Sequence, residues 1–255
     1  MSEPRFRRVD AGGHELRLAT QGEGPIDFLC LHGLVDRLEI WDRLAGPLSE
    51  RGRVARLDQR GHGESEAPPG GYRREDLAAD VSNVIRELGS PRVVLVGHSM
   101  GGIVAMTTAL EHPEQVAGLV LIGTASQCSE KIAGWYERIA LAGEKDGNAG
   151  LARAIYGEKS KKTILGDAQG IAHVTRTLKS LHDDPLTPKL ASIACPVLLV
   201  VGDKDPMGPK ASPIIAGQLP DAELAVVPDC GHWVHVEKPA AIVEAFDAWR
   251  HKLGS

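Results

Sequence analysis

Aromatic residues are scarce in this chain: four Trp, three Tyr and three Phe among 255 residues. A core with so few rings must be built mainly from Val, Leu, Ile and Ala, which suits a parallel sheet covered by helices. Cysteine is also sparse. Cys30, Cys128, Cys195 and Cys230 show no C-x-x-C spacing, so buried thiols are expected rather than disulfides or a metal site. A basic surplus is missing, since 29 Lys and Arg face 34 Asp and Glu for a net charge of -5. That balance argues against nucleic acid or an anionic membrane as partner. No stretch nears the roughly 18 apolar residues of a membrane span, and Met1 to Asp10 lacks the apolar run of a signal peptide. The expectation is a soluble, cytoplasmic protein. Internal repeats and low-complexity tracts are absent as well.

What is present is a hydrophobic content of 42%, enough to bury a sizeable core and to exclude a disordered or coiled-coil chain. Short apolar runs alternate with longer amphipathic ones. Phe6 to Asp10 and Glu15 to Thr20, joined through Ala11-Gly12-Gly13, form an expected hairpin. Ile26 to Leu31, Val54 to Leu57, Val93 to Val96, Leu119 to Ile122, Val197 to Val201 and Leu224 to Val227 read as buried strands. Helical patterns lie between them at Asp36 to Glu50, Arg74 to Leu88, Met100 to Glu111, Lys210 to Gln218 and Pro239 to Lys252. This alternation implies right-handed βαβ crossovers and a doubly wound, mostly parallel sheet. Ser126 to Lys189 breaks it with helical patterns only, at Glu130 to Leu141, Leu151 to Ile155 and Ala168 to Leu181. We read residues 126–190 as a helical lid on a core of residues 1–125 and 191–255. An insertion between parallel strands sits over their carboxyl ends, where ligands bind.

The strongest chemical signal is Val93-Val94-Leu95-Val96-Gly97-His98-Ser99-Met100-Gly101-Gly102, a strand running through G-x-S-x-G into a helix. A serine on that sharp turn projects its hydroxyl above the sheet, while Gly97 and Gly101 leave room for neighbouring chain. A serine hydroxyl needs a general base, and the base needs an orienting carboxylate. His232 follows the last strand in Pro228-Asp229-Cys230-Gly231-His232 and is the expected base. Gly202-Asp203-Lys204-Asp205-Pro206 follows the strand before it and offers two acids. Asp205 is favoured, and Asp203 is the competitor that would otherwise make a local turn. A tetrahedral intermediate also needs two N–H donors. Met100, at a helix N-terminus, and Leu34, in His32-Gly33-Leu34, are expected to supply them from the backbone, leaving both side chains free to wall a pocket. Asp58-Gln59-Arg60-Gly61-His62-Gly63-Glu64-Ser65 is conspicuous for its charge, yet it matches no metal-ligand spacing. We read it as a polar loop stabilised by its own charges.

Taken together, Leu31-His32-Gly33, Asp58-x-Arg60-Gly61-His62-Gly63-x-Ser65, Gly97-His98-Ser99-Met100-Gly101-Gly102, Gly202-Asp203-x-Asp205-Pro206 and Gly231-His232 resemble the α/β-hydrolase superfamily, over Phe6 to the C-terminus. The resemblance implies an α/β-hydrolase fold and a hydrolase needing neither metal nor organic cofactor. Dehalogenases and epoxide hydrolases of that superfamily use an Asp nucleophile, whereas position 99 is Ser. Carboxylesterases, 3-oxoadipate enol-lactonases, cofactor-free perhydrolases and carbon–carbon bond hydrolases remain, so a small ester or lactone is the implied partner. A ligand receptor on a hydrolase fold is the non-enzymatic alternative. Gln127 to Leu190 carries ten Lys and Arg against eight Asp and Glu, so it is +2 while the rest of the chain is -7. That contrast would attract an anionic substrate. Trp135, Tyr136, Ile139 and Ile155, with Met207 and Trp233 beside the acid and base, would line an apolar acyl pocket or else pack the lid onto the body.

Overall fold

The computed structural model describes residues 3–24 and 26–254. It opens with a hairpin, β1 (Arg5–Asp10) and β2 (Glu15–Gln21). Gly12 and Gly13, both at φ 100°, let the turn bend so that their amides reach Asp10 Oδ1 at 2.9 and 2.7 Å. Six further strands follow: β3 (Ile26–Leu31), β4 (Gly52–Leu57), β5 (Val93–His98), β6 (Val116–Ile122), β7 (Val197–Gly202) and β8 (Ala222–Val227). The sheet order is β1-β2-β4-β3-β5-β6-β7-β8. The β1–β2 and β2–β4 pairs are antiparallel and the remaining pairs parallel.

Side-chain alternation divides the core. Leu29, Leu31, Leu95, Leu119, Leu121 and Leu199 face one layer. Phe28, Cys30, Val94, Val96, Val120 and Val200 face the other. The first layer is closed by α2 (Arg74–Leu88), α3 (Met100–Glu111) and α6 (Gly208–Ala216), the second by α1 (Asp42–Ser49) and α8 (Pro239–Trp249). Parallel strands buried on both faces are therefore apolar at nearly every position, which is why they stood out in the sequence. Cys30 and Cys230 are buried, while Cys128 and Cys195 are half-buried. Burial pushes the Cys30 thiol up to about 12.

The structure changes one expected helix. The pattern from Asp36 to Glu50 splits into a 3₁₀ turn, Leu38–Trp41, followed by α1. Leu38 and Trp41 are both buried, and the three-residue period of the tighter turn puts them on one side. Asp58 Oδ1 accepts the Leu38 amide at 2.6 Å. Between β6 and β7, α4 (Glu130–Tyr156) consists of two helical segments, as the pattern predicts, which meet at Gly147 with non-helical backbone (φ 63°, ψ −150°). It packs against α5 (Ala168–Lys179), whose first turn is capped by Asp167 accepting the Gly170 amide at 2.7 Å. A short helix, α7 (Val234–Glu237), follows the loop carrying His232. Among the described residues no helix is long and apolar enough to cross a membrane.

The charged loop 58–65 joins these parts. Asp58 is fully buried, and besides Leu38 it holds the Glu64 amide at 3.0 Å. Arg60 makes two 2.6 Å bonds to Asp80. Its backbone then docks the helical insertion: the Asp167 amide donates to Gly61 O at 2.9 Å and the Gly63 amide to Leu165 O at 3.0 Å. Its charges thus hold it in shape, and its main chain carries α5.

Candidate active site

Ser99 ends β5 and begins α3 at φ 50°, ψ −112°, a conformation that L residues rarely adopt. Neighbouring strands hold it there. Its amide donates to Ile122 O at 2.9 Å, and Thr124 Oγ1 donates to its carbonyl at 2.7 Å. The flanking glycines are required by contact. A Cβ on Gly101 would run into the Leu31 carbonyl, one on Gly97 would lie 2.5 Å from Gly101 O, and one on Gly102 2.6 Å from Thr124 Cβ.

His232 and Asp205 meet although they lie on loops after different strands. His232 Nδ1 donates to Asp205 Oδ2 at 2.8 Å, which leaves the lone pair of the neutral ring on Nε2. The Asp205 side chain has no exposed surface, and its Oδ1 accepts the Met207 amide at 2.9 Å. Burial alone would raise its pKa. The hydrogen bond and charge of His232, with the Met207 and Gly208 amides, outweigh burial and hold the carboxyl below 3.8. Asp203 instead faces solvent and accepts the Cys230 amide at 3.2 Å. Glu237, which no sequence motif singled out, fixes the His232 loop by accepting the amides of Gly231 at 2.9 Å and Trp233 at 3.3 Å.

The loop after β3 is equally constrained. His32 is buried. It accepts the Gln59 amide at Nε2, 3.0 Å away, and donates from Nδ1 to Gly33 O at 2.8 Å. Burial lowers its pKa to about 4, so it stays neutral. The turn closes with the Asp36 amide on Gly33 O at 3.2 Å and Val35 at φ 63°. Leu34 lines the cavity at this turn. Met100 corrects an expectation: its amide lies at the helix start next to Ser99, but its side chain is buried in the core and walls no cavity.

Two cavities open at Ser99. The first, of about 630 Å³, is lined by Ser99, His232, Leu34, Trp135, Ile155, Met207 and Trp233, among others. Ile139 is not among them. It is fully buried in the core cluster that α4 shares with α5, about one turn further along the same helix face as Ile132, Trp135 and Tyr136. The second cavity, of about 620 Å³, shares Ser99, Lys131, Ile132, Tyr136, Pro206 and Met207 with the first and extends along residues 124–129. Of the arginines on α4, Arg138 reaches the first cavity, whereas Arg153 is paired with Asp146.

Asp36 is a further cavity residue that sequence reasoning missed, since no motif marks a lone carboxylate four residues beyond His32. Trp233 Nε1 donates to its Oδ2 at 3.4 Å. Burial raises its pKa to about 6 against the opposing effects of Trp233, His232 and Lys162. Its neighbour His98 is buried, donates from Nε2 to His232 O at 3.1 Å, and is held neutral by burial and by the nearby His235 and His232 rings. Among the described residues no group of three or more His, Cys, Asp or Glu is placed to hold a metal ion.

Known proteins share this architecture. The chain is 30% identical to the 2-(acetamidomethylene)succinate hydrolase of Mesorhizobium japonicum, over 94% of this chain and 92% of that protein. A thermophilic esterase from Thermogutta terrifontis, solved with malate bound, superposes with a TM-score of 0.84 at 26% identity, covering 100% of both chains. The enol-lactonase from Burkholderia xenovorans superposes with a TM-score of 0.85 at 25% identity, covering 97% of this chain and 100% of that one. With the sequence model of the alpha/beta hydrolase family matching residues 28–245 and the mostly parallel eight-stranded sheet that its members share, this chain belongs to the alpha/beta hydrolase family.

Proposed function

We propose that this hydrolase cleaves carboxylic esters of small to medium acyl groups through a covalent acyl-enzyme, with residues 126–190 as its lid. The observation that carries the reading is the 2.8 Å bond from His232 to a fully buried Asp205, in a cavity wall shared with the strained Ser99. Ser99 Oγ attacks the ester carbonyl as His232 Nε2 takes its proton. Asp205 holds the imidazole in the tautomer that can accept it and stabilises the imidazolium that forms. The amides of Leu34 and Met100 receive the developing oxyanion, the second reinforced by the N-terminus of α3. His232 then returns its proton to the departing alcohol, and water repeats the sequence to release the acid. No step calls on a metal or an organic cofactor.

Enol-lactone opening, carbon–carbon bond hydrolysis and perhydrolysis use the same three side chains. A panel of p-nitrophenyl esters of graded length, run beside an enol-lactone and a carbon–carbon hydrolase substrate, separates them. The ester reading expects turnover of the short and medium esters, stoichiometric labelling of Ser99 by an organophosphonate, and loss of several orders of magnitude in Ser99→Ala and His232→Ala. Ser99→Ala retaining more than about a tenth of wild-type turnover on every ester would remove the nucleophile. An unlabelled, inactive wild-type protein would favour a ligand receptor.

A further inference from the structure

The cavities meeting at Ser99 differ in charge. The first is bounded by His232 and by the Gly33–Leu34 turn, and it mixes the Asp36 and Glu237 carboxylates with the cations of Arg138, Lys204 and Lys131, the last of which also borders the second. The second is bounded by Thr124, Ser126, Gln127, Lys131 and Lys210, with no Asp or Glu among its described lining residues. Neither lysine is paired with a carboxylate among the described residues. Both also stand where a cation is unfavourable: Lys131 in the first turn of α4 and Lys210 in the first turn of α6, against the positive ends of those helices. Two uncompensated ammonium groups, two helix N-termini and several hydroxyl and amide groups therefore face one chamber beside the serine.

The position of His232 fixes which half of a substrate enters which chamber. A base that protonates the leaving alcohol must lie beside it, and His232 borders only the first cavity. The alcohol accordingly occupies the chamber of Trp135, Ile155 and Trp233, and the acyl chain occupies the carboxylate-free chamber of Lys210, with Lys131 on the border of the two. Resting on the ester reading above, we infer that the preferred substrates are half-esters of dicarboxylic acids, with the free carboxylate at the far end of the acyl chain and an uncharged alcohol as leaving group. In turnover, the Ser99 Oγ–acyl bond forms as the ester C–O bond breaks and the serine proton passes through His232 to the alcohol. Water then splits the acyl-enzyme, giving a dicarboxylate and restoring the serine hydroxyl.

The test compares 4-nitrophenyl hydrogen adipate with 4-nitrophenyl hexanoate, which match in chain length and differ in terminal charge. Wild-type kcat/KM should favour the adipate half-ester by about 10-fold or more, mostly through KM, and added salt should shrink that ratio. In Lys131→Met/Lys210→Met the ratio should fall at least about 5-fold, while Lys131→Arg/Lys210→Arg should keep most of it. A wild-type ratio near one, or a ratio unmoved in the Met variant, overturns the inference while hexanoate turnover and organophosphonate labelling of Ser99 leave the ester reading standing. If neither ester is turned over and Ser99 is not labelled, both fall together.

Discussion

The loops at the carboxyl ends of β5, β7 and β8 face α4 and α5 across the same cavity, and different forces hold the two sides. Ser99, Asp205 and His232 are fixed largely by hydrogen bonds from backbone amides: the Ser99 amide to Ile122 O, the Met207 amide to the Asp205 carboxylate, and, in the His232 loop, the Gly231 and Trp233 amides to the Glu237 carboxylate. The helices are joined by side chains, with Ile139, Leu151, Ile171 and Val174 in their seam and Arg176 and Lys179 bridging to Glu137 at 3.2 and 3.0 Å. Those ion pairs are partly exposed, and such pairs contribute at most about 1 kcal/mol each. The proposed reacting groups are thus pinned by contacts to backbone amides. The substrate-facing wall opposite depends on which side chains α4 presents, and it can change without moving the chemistry.

The largest expected effect attacks the pinned side. Asp205→Asn should lower kcat by about 10⁴, because an amide donating to Nδ1 reverses the imidazole tautomer, whereas Asp203→Asn should cost far less. Steady-state kinetics of the two variants decides the matter, and the opposite ranking would transfer the acid's role to Asp203.

Two neighbours on α4 sharpen the contrast from the other side. Ile139→Ala empties a fully buried site in the helix seam and should destabilise the protein by about 2–5 kcal/mol, read in urea unfolding, with little change in acyl-chain preference. Trp135→Ala removes a cavity-lining side chain and should alter the short-to-long acyl ratio of kcat/KM by roughly 10-fold at a smaller stability cost. If Ile139→Ala changes selectivity while Trp135→Ala does not, the roles of these two positions along α4 have been misassigned.

The same contrast explains what the sequence made readable. The strands are buried on both faces and bounded by turns, so β3, β5 and β7 stood out as apolar runs, and the residues just after them were found by position. The sequence favoured Asp205 over Asp203 as the partner of His232, and the structure pairs them. In the helical insertion between β6 and β7 the helical period was visible. Which of Trp135 and Ile139 faces the cavity was not, since both are apolar and the partner of the second, α5, is set by tertiary packing. The two helical segments of α4 were legible, but the corner between them at Gly147, which needs a positive φ, was not. Asp36 gave no signal at all: its character comes from burial between the His32 loop and Trp233, which no local pattern encodes.

Asp36 also supplies the smallest and most specific test, for it lies on the seam between the two sides. Burial raises its folded-state pKa to about 6 from the ordinary 3.8. The folded protein therefore holds this proton more tightly than the unfolded chain does, and ionising the group opposes folding. The penalty is complete above about pH 6, shrinks as the pH falls from there, and is gone below 3.8. Asp36→Asn keeps an oxygen for Trp233 Nε1 and removes the charge. The variant should melt a few degrees higher than wild type at pH 8, taking about 2–4 °C per kcal/mol for a chain of this size. That gain should narrow steadily as the pH is lowered through 6 towards 4. Thermal melts at about four pH values are sufficient, because the diagnostic is the slope of the difference and not its absolute size. A constant difference would mean that the substitution acts through packing. A lower melting temperature at pH 8 would mean that the attraction of Lys162 and His232 for the Asp36 carboxylate outweighs its burial, reversing the balance assigned to this residue.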